Sequence, residues 1–372
     1  MFLSLFSSNW SDPLRPDWWI LDKVNPIYTD AFTLFGSLSV KWYAIMILSA
    51  VLLSVVIGYF GFAKRLGITS DHLFEGVIAG VVAGILGARA WYVIADMLQD
   101  GAKSDYLSGN FGQNLRAIVM IPDGGLAISG GVLLAGIVIF FYCRYRHIKV
   151  LYLLEIVLPL IMLSQVLGRW GNFFNLEAHG GLIKVPGLEE ALESAKTFDT
   201  LDNDILLAQR RFLWFFPKFM VDRMYIYDEV TGVYGYCHPC FFYEGMLNFI
   251  GFTTYMLVRR FVKKGIYVGD GISFYLIWYG LVRFGVEHLR TDAQMIGDVR
   301  VVVIYASIMI LAGIAWLIIR RVKKISMITC YDALYGFDST ILLDQPEKKN
   351  SKKNKKAKKQ TEIKTEAEIQ NN

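Results

Sequence analysis

Three charged side chains lie at the end of an otherwise apolar run, and no feature of the sequence is better suited to chemistry. Arg283 and Glu287 lie at the end of the run VGDGISFYLIWYGLVRFGVE, in which Asp270 is the only other charge, and Arg290 follows three residues later. Spacings of four and three residues put these three side chains on one helical face. Ionisable groups at membrane depth are costly and usually face a polar cavity, so they are candidates for a functional site. A purely structural ion pair between Arg283 and Glu287 is the alternative.

Residues 168–180, GRWGNFFNLEAHG, are the densest polar patch of the chain. They interrupt an apolar run, so we predict that the preceding helix, with its membrane span near 151–168, ends within this segment, where Arg169 and Asn172 close the span and Gly171 permits a backbone break. Arg169 can direct two N–H donors at the oxygens of a phosphate. The 168–180 segment is therefore a candidate site for a phosphate-containing ligand.

Further polar groups lie near the ends of other apolar runs. Tyr43 begins the first run and Arg89 lies late in the second, where it can serve a polar cavity or extend outward to water. Asn172 and Asn175 can donate hydrogen bonds to ester or glycerol oxygens. For Asn175 and Glu177, a helix cap with ordinary loop polarity is the alternative. Because these groups recur at one predicted depth, we predict a single outward-facing polar cavity.

The composition is that of a membrane protein, with 54% hydrophobic and 19% charged residues. A helix needs about 20 apolar residues to cross a bilayer, and backbone in lipid must be helical or closed into a barrel. We predict an all-α membrane protein with a bundle of seven transmembrane helices. The predicted spans are residues 42–62, 73–98, 124–143, 151–168, 241–258, 268–287 and 301–319.

Basic residues in the short loops predict the orientation, because cytoplasmic loops are enriched in Lys and Arg. One side carries thirteen: Lys64, Arg65, Arg144, Arg146, Lys149, Arg259, Arg260, Lys263, Lys264, Arg320, Arg321, Lys323 and Lys324. The opposite short loops carry three: Lys103, Arg116 and Arg290. The N-terminus is therefore predicted outside and the C-terminus inside, with a small extracytoplasmic head between helices 4 and 5.

These spans divide the chain into five predicted regions. Residues 1–41 are an outer N-terminal segment, 42–168 are helices 1–4, and 169–240 are the polar segment and the head. Residues 241–320 are helices 5–7, and 321–372 are a cytoplasmic Lys-rich tail, disordered from about residue 345. The tail is solvated or contacts anionic lipid headgroups. We expect no nucleic-acid partner.

Small residues and cysteines are assigned mainly structural roles. The ladder of Gly76, Gly80, Gly84 and Gly87 predicts close packing against a neighbouring helix. The lone motif of Cys237 and Cys240 lacks a second ligand pair, so we expect no metal there, and either a disulfide or two free thiols.

At this point the residues resemble a known family, the bacterial prolipoprotein diacylglyceryl transferases. The 168–180 segment fits the family pattern G-R-x-G-N-F-x-N-x-E-x-x-G through Gly168, Arg169, Gly171, Asn172, Phe173, Asn175, Glu177 and Gly180. Further blocks occur in order, namely Trp42-Tyr43, Gly87-x-Arg89, Gly124-Gly125 with Gly130-Gly131, His238-Pro239…Tyr243-Glu244, Arg283-x3-Glu287-x2-Arg290 and Asp292-Ala293-Gln294. Several ordered blocks are more specific than one motif.

The resemblance implies that the chain transfers the diacylglyceryl group of phosphatidylglycerol to the lipobox cysteine of prolipoprotein signal peptides, forming a thioether and releasing glycerol phosphate. It also implies seven spans in a bacterial cell membrane, contact with membrane lipids, and no metal or organic cofactor. A membrane transporter with an outward-facing polar cavity is the alternative function. A transporter needs cavity access from both sides, whereas the charges here gather at one predicted depth.

Roles for individual residues follow as hypotheses. Arg169 and Arg283 stabilise the phosphate and the leaving group, and Glu287 orients Arg283 or Arg290. Asn172 and Tyr43 position the headgroup, while Arg89, Asn175, Glu177, Gly180 and Arg290 complete the predicted substrate-binding set. Where many family members have histidine or tyrosine, this chain has Ser129. A serine hydroxyl is too weak a base to deprotonate a thiol at neutral pH.

Overall fold

The computed structural model describes residues 30–34, 38–64, 66–100, 106, 110–119, 127–195, 201–291, 295–296 and 299–335. The predicted outer segment before residue 30 and the Lys-rich tail after residue 335 lie outside the described residues. The described residues belong to two compact units, one within residues 1–62 and 154–336 and the other within residues 63–153.

The described residues are mostly helical. In chain order the helices are α1 (Trp42–Gly58, continued by the π-helical turn Tyr59–Ala63), α2 (Ser70–Asp100), α3 (Phe111–Val119), α4 (Ile128–Tyr145), α5 (Val150–Asn175), α6 (Leu188–Ala195), α7 (Asn203–Phe212), α8 (Lys218–Arg223), α9 (Cys240–Phe261), α10 (Asp270–Glu287), α11 (Val301–Val322) and α12 (Cys330–Tyr335). Short antiparallel hairpins pair β1 (Asp30–Leu34) with β2 (Leu38–Lys41), β3 (Tyr225–Asp228) with β4 (Val233–Tyr236), and β5 (Met295–Ile296) with β6 (Val299–Arg300). These hairpins lie outside the predicted spans and were not predicted.

Each of the seven predicted spans overlaps a helix. Within the described part of the chain, four helices are long and apolar enough to cross a membrane: Trp42–Ala63, Ser70–Leu98, Val150–Asn175 and Val301–Val322. A shorter apolar helix covers Ser129–Tyr145. The two other predicted spans coincide with α9 and α10, whose buried polar residues lower their apolar content. The chain therefore has the helices of a membrane protein.

The fourth helix ends within the 168–180 segment, as predicted, but it is longer than the predicted span 151–168. Helix α5 continues through Arg169 and Gly171 and ends at Asn175. The helix extends beyond the apolar run because its last turns pack into protein. Phe173 in these turns is 2% exposed. The chain leaves the helix at Leu176, which has a φ of 56°. A left-handed residue of this kind commonly ends a helix.

Residues 176–239, here called the head, have a hydrophobic core of their own in the first unit. Helices α6, α7 and α8 and the hairpin β3–β4 surround fully buried side chains that include Leu206, Leu213 and Tyr225. Phe173 and Phe241 extend the same core into α5 and α9. This shared core fixes the ends of both helices, where the charged residues of the predicted site lie.

In the second unit, α2 and α4 cross at glycines. A Cβ added at Gly80 would lie 3.3 Å from Ile139 Cδ1, and one at Gly131 would lie 2.9 Å from the carbonyl oxygen of Gly84. At Gly87 an added Cβ would clash with the backbone of Gly130. At Gly87 and Gly131 only hydrogen fits against the opposing backbone, and Gly80 packs closely on Ile139, so the glycine ladder has the packing role that was predicted.

Candidate active site

Two arginines and two glutamates from three helices form one ion-pair cluster in the first unit. Arg169 of α5 donates from Nη2 to Oε1 of Glu244 at 2.6 Å, and Arg283 of α10 donates from Nη1 to Oε2 of the same carboxylate at 2.8 Å. Arg283 also donates from Nη2 to Glu287, one turn further along α10, at 3.1 Å. We call these four residues the charged cluster. All four residues belong to the polar groups whose convergence was predicted, Glu244 as a residue that opens the fifth span, but the role of Glu244 in joining the two arginines was not predicted.

Burial makes these contacts strong. The side chains of Glu244 and Glu287 are 2% and 1% exposed, whereas those of Arg169 and Arg283 are 18% and 13% exposed. The carboxylates are therefore buried, and the guanidinium groups are the part of the charged cluster that a ligand can reach. In such a water-poor setting charges interact more strongly than in bulk water. The phenol of Tyr279, one turn before Arg283, interacts electrostatically with Glu244, Arg169 and Arg283.

Local sequence explains how the three helices reach each other. Gly245 follows Glu244 in α9, and a Cβ added there would lie 3.8 Å from the Cβ of Arg169. Helices α5 and α9 are therefore in contact at the level of the charged cluster, at a separation that also leaves room for a methyl group at residue 245. Arg283 and Glu287 are four residues apart, which is the spacing of ion-pair partners on one helical face. The predicted pairing of these two residues is therefore found in the structure.

Tyr43 lies beside the charged cluster, at the start of α1. Its ring packs on Gly171, where an added Cβ would lie 2.7 Å from Tyr43 Cδ2. Its phenol interacts electrostatically with Glu177 and Arg169. Gly171 therefore serves a close contact, as predicted, although it does not break the helix.

Three other residues of the 168–180 segment have local partners. The carbonyl oxygen of Asn172 accepts from the backbone N–H of Glu177 at 3.0 Å, which closes the turn after α5. Asn175, the last residue of α5, donates from Nδ2 to Oε1 of Glu177 at 3.4 Å. These contacts fit the helix-cap alternative for Asn175 and Glu177.

Gly180 and Arg290 pair backbone to backbone in an isolated antiparallel bridge. Arg290 follows the end of α10, so the prediction that it shares a helical face with Arg283 and Glu287 is wrong. At the end of the helix, the carbonyl oxygens of Glu287 and Arg290 both accept from Nη1 of Arg300, which caps the helix. Gly180 is held among neighbours, and a Cβ there would lie 2.7 Å from that of His238. Both residues therefore join the head to the end of α10.

Arg89 and Ser129 belong to the second unit. Arg89 is buried, donates from Nε to the carbonyl oxygen of Ile118 at 2.9 Å, and lies over the rings of Tyr92 and Tyr106. Ser129 is exposed in the first turn of α4. The blocks Gly124-Gly125 and Asp292-Ala293-Gln294 lie outside the described residues.

The two cysteines of the C-x-x-C motif are free thiols, which decides between the two predicted alternatives. Burial is the main cause that raises the pKa of Cys237, so this thiol stays protonated. His238 follows Cys237 in the motif, and its Nδ1 lies 3.4 Å from the hydroxyl oxygen of Tyr243. Burial lowers the pKa of His238, so the ring is neutral near pH 7.

Comparison with known proteins decides the family. The family model described as prolipoprotein diacylglyceryl transferase matches residues 29–319, which include the whole charged cluster. The chain belongs to this family.

Three relatives illustrate the match, and each is named phosphatidylglycerol–prolipoprotein diacylglyceryl transferase. The relative from Streptococcus uberis is 32% identical over 289 residues, covering 78% of this chain and 94% of the relative. The relative from Streptococcus equi subsp. equi is 34% identical over 301 residues, covering 81% and 97%. The relative from Staphylococcus xylosus is 33% identical over 307 residues, covering 82% and 92%. Family membership makes the chain a diacylglyceryl transferase and supports its place in a membrane.

Sequence reasoning gave no role to two residues that shape this candidate site. Glu244 was expected among the polar groups that converge, because its charge in an apolar run is a signal, but its joining of two arginines was not predicted. Arg300 carried no such signal, because it lies in a loop where basic residues are common. Both act through residues distant in sequence, Glu244 by joining two arginines and Arg300 by capping α10.

Proposed function

We propose that the chain transfers the diacylglyceryl group of phosphatidylglycerol to the lipobox cysteine thiol of prolipoprotein signal peptides. The charged cluster is the observation that carries this proposal. Its two guanidinium groups are the more exposed members and can receive the phosphate of the lipid. The names of the relatives supply the class of both substrates.

The reaction is an alkyl transfer at a glycerol carbon. The thiol loses its proton, the sulfur forms a bond to the carbon, and the bond from that carbon to the phosphate oxygen breaks. Glycerol phosphate leaves with one more negative charge than it had in the diester. Arg169 and Arg283 stabilise this developing charge, and they also favour the thiolate by lowering the thiol pKa from about 8.5.

Carboxylates hold the two arginines for this task. Glu244 fixes one donor of Arg169 and one of Arg283, while Glu287 fixes a second donor of Arg283. A guanidinium carries five N–H donors, so further donors can face a phosphate. Tyr43, beside Arg169, positions the headgroup together with Asn172. Arg89 and Arg290 remain proposed substrate-binding residues.

The membrane arrangement is part of the same proposal. Seven transmembrane helices cross a bacterial cell membrane, the N-terminus lies outside, the C-terminus lies inside, and the head is extracytoplasmic. The excess of basic residues in one set of loops supports this orientation. The proposed domains are the outer N-terminal segment (1–41), helices 1–4 (42–168), the polar segment and head (169–240), helices 5–7 (241–320) and the cytoplasmic tail (321–372).

Incubation of the purified protein with phosphatidylglycerol and a lipobox peptide tests the function. We expect the peptide to gain the mass of one diacylglyceryl group on its cysteine and glycerol phosphate to appear in equal amount. A peptide with serine in place of the cysteine is the control. An unchanged mass of the cysteine peptide in the presence of the lipid would refute the proposal.

The Ser129→Ala variant is expected to retain turnover within about twofold of the wild type, because a serine hydroxyl is a poor base at neutral pH. Ser129 is exposed, so its loss leaves the packing of α4 intact. Initial rates with the lipobox peptide measure the effect, and equal thermal stability of the two proteins is the control. Complete loss of turnover would assign the proton transfer to this hydroxyl instead.

A further inference from the structure

The head contains a cavity of about 450 Å³, here called the head pocket. Leu182, Leu188 and Val230 give it apolar walls, while Lys184, Glu189 and Asp228 contribute charge. Ligand sites in proteins commonly have volumes of about 300–1,000 Å³ and combine apolar walls with a few polar groups. The head pocket has both properties.

The head pocket adjoins the isolated bridge between Gly180 and Arg290, two residues of the proposed substrate-binding set. Gly181 and Thr291 line it and directly follow Gly180 and Arg290, which are paired in the isolated bridge. The N–H of Gly181 also donates to the carbonyl oxygen of Leu289 at 3.0 Å. Since Glu287 of the charged cluster precedes Leu289 by two residues, the pocket and the cluster are held together through the backbone at the end of α10.

The polar groups of the head pocket favour a ligand that donates N–H bonds. Asp228 is 1% exposed, and its Oδ2 accepts from the hydroxyl of Thr231 at 2.7 Å. Its Oδ1 is buried and has no hydrogen-bond partner among the described residues. The exposed Glu189 adds a second carboxylate. Backbone amides and lysine or asparagine side chains of a polypeptide are donors of this kind.

We propose that the head pocket binds the residues of the substrate polypeptide that immediately follow the acceptor cysteine. The proposal rests on the proposed function, because it requires a cysteine held at the charged cluster. The polypeptide leaves the cluster past Gly180 and Arg290 and enters the pocket in extended form. Its apolar side chains pack on Val230 and Leu188, and its N–H donors face the carboxylates.

Two lipobox peptides test this proposal. One ends directly after the cysteine, and the other has about five further residues, about 17 Å of extended chain, that include one lysine. We expect the wild type to have a KM about tenfold lower for the longer peptide. In the Val230→Trp variant the indole fills the pocket, so the KM for the longer peptide rises to that for the shorter one. The kcat and the KM for phosphatidylglycerol stay unchanged.

Val230 is 71% exposed, so its replacement does not disturb the head core. The matched control is Tyr227→Trp, because Tyr227 is exposed in the same hairpin and is not part of the pocket lining. This control should leave both peptide KM values unchanged. Equal KM values of the wild type for the two peptides, or an unchanged KM in Val230→Trp, would overturn the proposal.

Binding without reaction separates this proposal from the proposed function. Versions of both peptides with serine in place of cysteine bind but accept no lipid. Tighter wild-type binding of the longer serine peptide, lost in Val230→Trp, supports the pocket even if the cysteine peptides are never modified. That combination would refute the proposed function alone.

Discussion

Arg169→Ala is expected to lower the rate of diacylglyceryl transfer about 100- to 1,000-fold, the usual effect of removing one donor that stabilises charge in a transition state. Arg169 is the more exposed of the two arginines that share Glu244, so it is the better placed to meet the lipid phosphate. Initial rates with phosphatidylglycerol and the lipobox peptide measure the loss. Arg169→Lys should recover part of the rate, because lysine keeps the charge without the planar fork of donors.

The matched control for this prediction is Arg211→Ala. Arg211 is an exposed arginine at the end of α7 in the head, distant in sequence from the charged cluster. Its removal should leave the rate unchanged. If Arg169→Ala kept the wild-type rate while folding normally, the assignment of phosphate stabilisation to the cluster would be wrong.

Glu244→Gln is expected to have the largest combined effect on stability and activity. The neutral amide keeps the shape of the side chain but leaves Arg169 and Arg283 without their shared countercharge. Removing one partner of a buried ion pair costs about 3–5 kcal/mol of folding free energy. Turnover should also fall, because both guanidinium groups lose the contact that orients them. Thermal unfolding and initial rates, measured on the same detergent-solubilised sample, report the two effects.

Glu287→Gln is the comparison for this variant. Arg283 then still has Glu244, so the losses of stability and rate should be smaller than in Glu244→Gln. The pair of variants also tests whether the charged cluster is only a structural lock between helices. In that case Glu244→Gln would unfold at a lower temperature, yet its folded fraction would turn over at the wild-type rate.

Local sequence patterns predicted much of what the structure contains. Apolar runs of helical length gave the position of α1, α2, α4, α5, α9, α10 and α11, because the length and apolarity that a membrane-crossing helix needs are properties of each segment alone. The pairing of Arg283 with Glu287 followed from helical periodicity for the same reason. The ordered blocks around Arg169 and Arg283 carried the family resemblance, which the match over residues 29–319 confirmed.

Local patterns failed where a neighbouring element decides the outcome. The apolar run stopped near Gly168, yet α5 continues to Asn175 because its last turns pack into the core of the head. Arg290 follows Glu287 by three residues, a spacing that would fit one helical face, yet its backbone pairs with that of Gly180. In both cases the position at which a helix ends depends on contacts with residues far away in the chain.

The sequence by itself determined where the seven long apolar helices lie, which family the chain resembles, and which arginines occur at the ends of apolar runs. Those properties depend on side-chain chemistry and on spacing within single segments. The tertiary structure alone decided that one buried carboxylate, Glu244, joins Arg169 of α5 to Arg283 of α10. It also decided that a pocket in the head adjoins the end of α10. Both arrangements depend on how separate helices approach and rotate, which is set by packing between residues distant in sequence.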